Sequence, residues 1–294
     1  MKKYSDSFSG SVPFVEIGRV GLKIGGVSCL PFYDDAGRSL PFEVAYEIWD
    51  KSPGERTEWA GLPKGVLASP GAWARMCRDE MNARLLCLSL VSMRPDEGGT
   101  GVSHALGCVE EALSAGLPLV VRGTGIADVD GEALVKIASE FRGERLLMGP
   151  VTLENHAGIA PAVLENGHSI IAESPIDINI AKQLNVMLRD LGFPPERIVS
   201  DPTTGALGYG LEYSCSIMER ARIAGLGGDS SLACPFINFI GAESWRSREA
   251  EECGPAWEAV TALAFVMAGC SVAVMRSGRA VSMLLDSISA MSLH

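Results

Sequence analysis

The sequence predicts an α/β chain folded as a (β/α)₈ TIM barrel with a short N-terminal β-hairpin, and three observations carry that prediction. Short runs rich in Leu, Val and Ile begin near Val44, Arg84, Leu117, Arg145, Ser169, Arg197, Phe236 and Ser271. They do not alternate, as expected of parallel strands covered on both faces. Helix-like stretches lie between and after them, giving eight strand–helix units over residues 44–294, a length that suits a barrel. A doubly wound open sheet would carry a glycine-rich nucleotide fingerprint at its first turn, and the first turn here has none.

In chain order, residues 1–11 are polar and expected to fray. Residues 12–18 and 21–28 flank a short turn and read as an antiparallel hairpin able to plug the bottom of a barrel. The chain is thus divided into an N-terminal extension with its hairpin, residues 1–40, and a barrel, residues 41–294. Helices are expected near 71–82, 103–115, 131–141, 154–166, 176–191, 211–225, 257–268 and 278–291. The last sets Val281, Leu284, Leu285, Ile288 and Met291 on one side, and 211–225 sets Cys215, Met218, Ala221 and Ala224 on another such stripe.

Composition limits the partners. A hydrophobic fraction of 47% with 21% charged residues supports a sizeable core. A net charge of −11 argues against nucleic acid or an anionic membrane surface. The longest apolar runs, 85–91 and 262–268, are too short to span a bilayer. Residues 1–30 contain no apolar signal core, so a cytoplasmic location is expected. None of the eight cysteines is in C-x-x-C spacing, so they read as small core residues in a reducing compartment, with no iron–sulfur cluster in this chain.

In a barrel the chemistry sits where strands end. Asp50 ends the first strand and leads into a long loop, 51–69, containing Trp59 and Leu62; loops of that length commonly bind something. Arg122 ends the third strand, Glu173 and Ser174 the fifth, Asp201 the sixth and Arg276 the eighth. Asn238 and Glu243 belong to the seventh, with Trp245, Arg246 and Arg248 in its loop. Arg122 and Arg276 can bind an anion or can neutralise Glu173 and Asp201, and the second reading is favoured. No catalytic constellation or metal site is visible. His168 falls at the wrong end of the barrel, His156 at a solvated helix start and His294 at the terminus. His104-Ala-Leu-Gly107 echoes half of Asp-x-His-x-x-Gly, the motif that supplies a corrin's lower axial histidine. Val102 stands where the aspartate is needed, so the echo is read as coincidence.

The densest stretch is Asp201-Pro-Thr-Thr-Gly-Ala-Leu-Gly-Tyr-Gly-Leu-Glu-Tyr-Ser-Cys-Ser-Ile-Met-Glu-Arg220. Asp201 and Pro202 end a buried strand, and Gly205, Gly208 and Gly210 form a turn into a helix. Such a turn lets backbone approach a ligand and presents N–H groups at the helix start. The same residues also serve as ordinary turn geometry with an aspartate cap.

This stretch resembles the signature of the small subunit of the corrinoid iron–sulfur protein, the delta subunit of acetyl-CoA decarbonylase/synthase. Ser169-Ile-Ile-Ala-Glu-Ser-Pro-Ile-Asp-Ile-Asn-Ile-Ala-Lys-Gln-Leu-Asn185 resembles that family's fifth-strand block, and Gly241-Ala-Glu-Ser-Trp-Arg-Ser-Arg-Glu-Ala250 its seventh-strand exit. Residues 257–269 resemble the helix that follows, and Trp73-Ala-Arg-Met-Cys77 matches more loosely. The resemblance runs from about residue 20 to the end and is densest over 145–276. The exits at 93–98 and 149–155 are individual to this chain.

The resemblance implies a barrel that pairs with a large corrinoid/iron–sulfur subunit as a heterodimer. Cobalamin lies at the interface between them, and both the cluster and the axial histidine belong to the partner. The pair carries a methyl group from methyltetrahydropterin to acetyl-CoA synthase in the reductive acetyl-CoA pathway, meeting the methyltransferase and the synthase transiently. On that resemblance the corrin-facing rim is Asp201, Thr203, Thr204, Gly205, Gly208, Tyr209 and Gly210, with Asn238 more distant. Thr203 and Thr204 offer hydroxyls to corrin amides. Tyr209 is either a flat apolar cover or a core aromatic. Two alternatives stay open: a pterin-dependent methyltransferase using Asp201 and Asn238, and a purely structural barrel partner.

Overall fold

The structure, a computed structural model, describes residues 8–30 and 41–291. The polar start over residues 1–7, the remainder of the N-terminal extension at 31–40 and His294 lie outside the described residues.

Two strands, β1 (Phe14–Ile17) and β2 (Leu22–Gly25), pair antiparallel as the expected hairpin. Eight parallel strands follow: β3 (Glu43–Trp49), β4 (Leu85–Ser89), β5 (Leu119–Arg122), β6 (Leu147–Val151), β7 (Ser169–Glu173), β8 (Ile198–Asp201), β9 (Ile237–Asn238) and β10 (Val272–Met275). They run in the order β8-β7-β6-β5-β4-β3-β10-β9, and a parallel bridge between Ser200 and Phe236 closes the barrel. The Ser200 amide donates to the Pro235 carbonyl across that seam at 2.9 Å.

The helices are α1 (Lys64–Leu67), α2 (Pro70–Met81), α3 (Val102–Leu113), α4 (Ala127–Glu140), α5 (His156–Glu165), α6 (Ile178–Asp190), α7 (Leu211–Leu226), α8 (Ile240–Ser244), α9 (Ala250–Met267) and α10 (Gly278–Met291). Several ends are set by local chemistry. Ser69 caps α2 by accepting from the Ala72 amide, and Asp177 caps α6 by accepting from Asn179 and Ile180. Among the described residues no helix is long and apolar enough to cross a membrane.

The pleat splits the apolar residues of the strands into two cores. Leu86, Leu88, Leu119, Val121, Met148, Ile170, Ile198, Ala273 and Met275 face outward and pack under the helices. Ala45, Leu85, Cys87, Val120, Leu147, Ile171, Val199, Ile237, Val272 and Val274 fill the barrel, and Val15, Ile17 and Ile24 of the hairpin join this inner cluster. The hairpin is therefore the plug that the sequence suggested. One step further along each strand the inward side chain changes character to Glu47, Ser89, Arg122, Glu173, Asp201 and Arg276. The apolar filling ends there, and a polar mouth begins.

Candidate functional site at the barrel mouth

The mouth is organised by Arg276. Its Nε donates to Glu47 Oε2 at 2.7 Å and its Nη1 to Glu58 Oε1 at 3.3 Å, with the guanidinium 5.2 Å from the ring centres of both Trp49 and Trp59. Glu47 Oε1 also accepts from Ser89 Oγ at 2.7 Å and from Trp49 Nε1 at 3.1 Å. Burial alone would raise the Glu47 carboxyl. The charge and hydrogen bonds of Arg276, with the charge of Arg122 behind them, outweigh burial and hold it at about 2. Glu258, on α9, accepts from the amides of Arg276 (2.6 Å) and Ser277 (3.1 Å) and from Trp245 Nε1 (2.8 Å). Burial still pushes its carboxyl up to about 7.

Arg276 thus neutralises Glu47 and Glu58, not Glu173 and Asp201 as the sequence reading favoured. Arg122 is the cation nearest in effect to those two acids, and its Cζ lies over the Phe239 ring, 3.8 Å from the centroid. Burial raises both Glu173 and Asp201. Their neighbouring charges raise Asp201 further, and Arg122 opposes the shift at both. Glu173 and Asp201 are register partners on β7 and β8, which is why they crowd one another.

Beside the mouth lies the loop 202–210. Asp201 Oδ1 accepts from the Thr203 amide at 3.0 Å, closing a turn that holds Thr203 at φ 64°. Thr203 Oγ1 donates to the Ser174 carbonyl at 2.6 Å. Ser214 Oγ donates to the Thr203 carbonyl at 2.8 Å and accepts from the Gly205 amide at 3.0 Å. Thr204 Oγ1 accepts from the Phe239 amide at 3.0 Å and from Asn238 Nδ2 at 3.5 Å. The loop is therefore bonded to the barrel from beneath.

Six of the seven proposed rim residues of this stretch sit on that loop, Asp201 ends β8 just before it, and Asn238 lies under it. Their exposure divides them. Asp201, Thr204, Gly205 and Asn238 are buried and build the loop, while Thr203, Gly208 and Tyr209 face outward. Tyr209 is 55% exposed and its hydroxyl donates to Glu249 at 3.0 Å, so it is not a core aromatic. Tyr213, which the sequence reading passed over, is 62% exposed on the first turn of α7. It stands opposite the buried helix face, and an aromatic in that position was the available signal.

The long loop at 51–69 is mostly exposed, as its length suggested, but its tryptophan is not. Trp59 is only 3% exposed and packs edge-on between Trp49 and Trp73 at 4.8 and 5.3 Å. Trp245 is half-buried and tied to Glu258. Asp50 is buried and accepts from the Ser92 amide and hydroxyl. His104 reaches the Asp50 carbonyl, and His168 is buried between Leu146 and Ala138. These groups build the fold.

Between the loops a cleft of about 430 Å³ opens, lined by Glu47, Trp49, Arg122, Glu173, Glu243 and Arg276 among others. Neither Asp201 nor Asn238 lines it. The rim presents two exposed tyrosines and an outward threonine. At Gly208 an added Cβ would meet only Trp257, at 3.8 Å, so the surface there is open.

Residues 15–289 match the profile of the family described as the CO dehydrogenase/acetyl-CoA synthase delta subunit. Subunit delta 1 of the acetyl-CoA decarbonylase/synthase complex of Methanosarcina thermophila is 33% identical over 280 residues, covering 89% of this chain and 64% of that relative. Subunit delta of the Archaeoglobus fulgidus complex is 33% identical over 312 residues, covering 96% and 69%. The chain therefore spans about two thirds of the length of such relatives. Among solved structures, dihydropteroate synthase from Xanthomonas albilineans superposes with a TM-score of 0.59 at 16% identity, over 96% of this chain and 98% of that one. The enzyme from Thermus thermophilus gives 0.54 at 19% identity, over 86% and 95%. At these identities the likeness concerns the barrel alone.

Proposed function

The chain belongs to the delta-subunit family of the acetyl-CoA decarbonylase/synthase complex, and from that membership we propose that it caps a corrinoid carried by a larger corrinoid/iron–sulfur subunit. The bound corrin would supply a cobalt that takes up a methyl group from methyltetrahydropterin and yields it to acetyl-CoA synthase. The work of this chain is to bind, orient and exclude. Thr203, Tyr209 and Tyr213 cover the open face of the ring, and the bonded loop beneath them keeps that cover in place. A dry, shaped enclosure protects a reactive metal between transfers without any residue of the cap reacting.

The observation that carries this reading is the outward turn of Thr203, Gly208 and Tyr209 on a loop fixed by Asp201, Ser174 and Ser214. The methyltransferase alternative needs Asp201 and Asn238 to hold a pterin together. Asn238 is fully buried against Thr204, which speaks against it.

Co-expression of the tagged chain with its neighbouring reading frames tests the proposal. A larger protein with a four-cysteine segment and bound corrin should co-purify in a one-to-one ratio. Recovery of the chain without any partner, turning over methyltetrahydrofolate and free cobalamin by itself, would replace the cap with the enzyme.

A further inference from the structure

Arg122 and Glu173 stand apart from the other charges of the mouth. Every other charged side chain lining the cleft has an ion-pair partner within 4.0 Å, Glu47 with Arg276 and Glu243 with Arg246 among them. Among the described residues Arg122 and Glu173 make no such pair and no side-chain hydrogen bond, although both are half-buried in the cleft wall. A half-buried guanidinium with none of its five donors engaged by the protein leaves them available to a ligand in the cleft. Its Cζ lies 3.8 Å from the centre of the Phe239 ring, a cation–π contact that holds the guanidinium at the cleft wall. Between the two strands that carry these residues, β6 contributes Gly149 and Pro150 to the same level.

We propose that Arg122 and Glu173 form a subsite for a neutral amide edge, a carbonyl oxygen beside an N–H. The guanidinium donates to the carbonyl, and the carboxylate accepts from the N–H. Charge selects this class. A ligand carboxylate would gain Arg122 but face the charge of Glu173. An ammonium would meet the reverse. Asp201, on the neighbouring strand, is buried beside Glu173 and held toward its neutral form by burial and by that neighbour's charge. The group is therefore close to neutral overall, one cation facing one carboxylate. Two kinds of molecule carry such an edge: the primary carboxamides around a corrin, and the lactam of a fused heterocycle such as a pterin. The subsite does not depend on the capping proposal, whose test is which protein co-purifies.

Isothermal titration calorimetry of the full chain at pH 7 decides it, with dicyanocobinamide, cobyrinic acid and biopterin as probes. Cobinamide carries the peripheral amides, and cobyrinic acid carries carboxylates in their place. At least one of cobinamide and biopterin should bind with a dissociation constant of about 1 mM or tighter. Arg122→Ala and Glu173→Leu should each weaken that binding roughly tenfold or more, the worth of one charge-assisted hydrogen bond. Arg122→Lys, which keeps charge but loses the planar fork, should fall between, and a thermal melt of each variant confirms that it is folded. Cobinamide binding identifies corrin amides as the source, biopterin binding a heterocycle, and cobyrinic acid should bind more weakly than cobinamide. Binding of neither amide ligand, binding indifferent to both substitutions, or preference for cobyrinic acid would overturn the assignment.

Discussion

Arg276→Ala is expected to destabilise the barrel by about 3–5 kcal/mol, because it strands a buried carboxylate without its cation. Glu47 and Arg276 are both almost wholly enclosed, with tryptophan rings packed around the guanidinium at the floor of the cleft. Few single substitutions away from a core cost as much. The pH dependence separates this cause from simple loss of packing. In the parent chain the folded Glu47 carboxyl lies at about 2 against an ordinary 4.5. Its contribution is therefore fully present above pH 4.5 and is lost as pH falls from 4.5 toward 2, amounting to about 3 kcal/mol. In Arg276→Ala the main lowering influence is gone and burial outweighs what Arg122 and Ser89 still supply, so the Glu47 carboxyl is expected to rise above its ordinary value. The sign reverses: stability is then present below 4.5 and is lost as pH climbs. Urea midpoints for both proteins at pH 7 and pH 4.5 should show the gap narrowing on acidification. A gap of constant size would mean that charge is not the cause.

Gly205→Val is expected to abolish cap formation while the barrel stays folded. A Cβ at Gly205 would lie 2.6 Å from both the carbonyl carbon and oxygen of Gly210 and 3.0 Å from the Leu211 amide. These are backbone atoms, and they cannot yield as a flexible side-chain end would. The loop must open, and Thr203 and Tyr209 then leave the positions that Asp201 and Ser214 give them. Overpacking of this kind costs about 1–3 kcal/mol of stability, which a chain of this size tolerates. Affinity for the corrin-loaded partner should fall by about 30-fold or more, the loss of a hot-spot cluster. Gly208→Ala is the matched control. It pays only for its left-handed φ of 74°, in open space, a cost of about 1–2 kcal/mol, and should keep most of the affinity. Equal binding by both variants and the parent would separate this loop from the interface.

Much of this architecture was legible because a parallel barrel buries both faces of each strand. Runs such as Leu85–Ser89 or Leu147–Val151 stand out from everything around them. The hairpin plug was legible from its two short arms and turn. What the runs concealed was parity. Glu47 sits within an apolar strand, and only the two-residue period that puts Ala45 inside reveals it as Arg276's partner.

Local exceptions hid other features. Helix α9 begins at Ala250, earlier than its apolar pattern suggests, because its first residues are glutamates and the chain bends at Cys253 just before Pro255. The buried face of α7 is rotated from the expected stripe. Ser214, tied to the 202–210 loop, and Arg222, donating to the Gly269 carbonyl, occupy buried positions that hydrophobicity cannot flag. On α10, Val281, Leu284 and Ile288 are buried as expected, whereas Leu285 and Met291 face outward. Loop length misled at Trp59, since a long βα loop can fold back as core. The rim was legible as a sequence block, but which of its residues face outward follows from hydrogen bonds between loop and barrel that no spacing encodes.

The rate at which cyanide adds to the corrin of the isolated partner subunit, measured with and without this chain, tests the capping proposal most directly. If Thr203, Tyr209 and Tyr213 cover the open face, a stoichiometric amount of the chain should slow addition severalfold, and the Gly205→Val chain should not. An unchanged rate in a heterodimer shown to be intact would contradict the account.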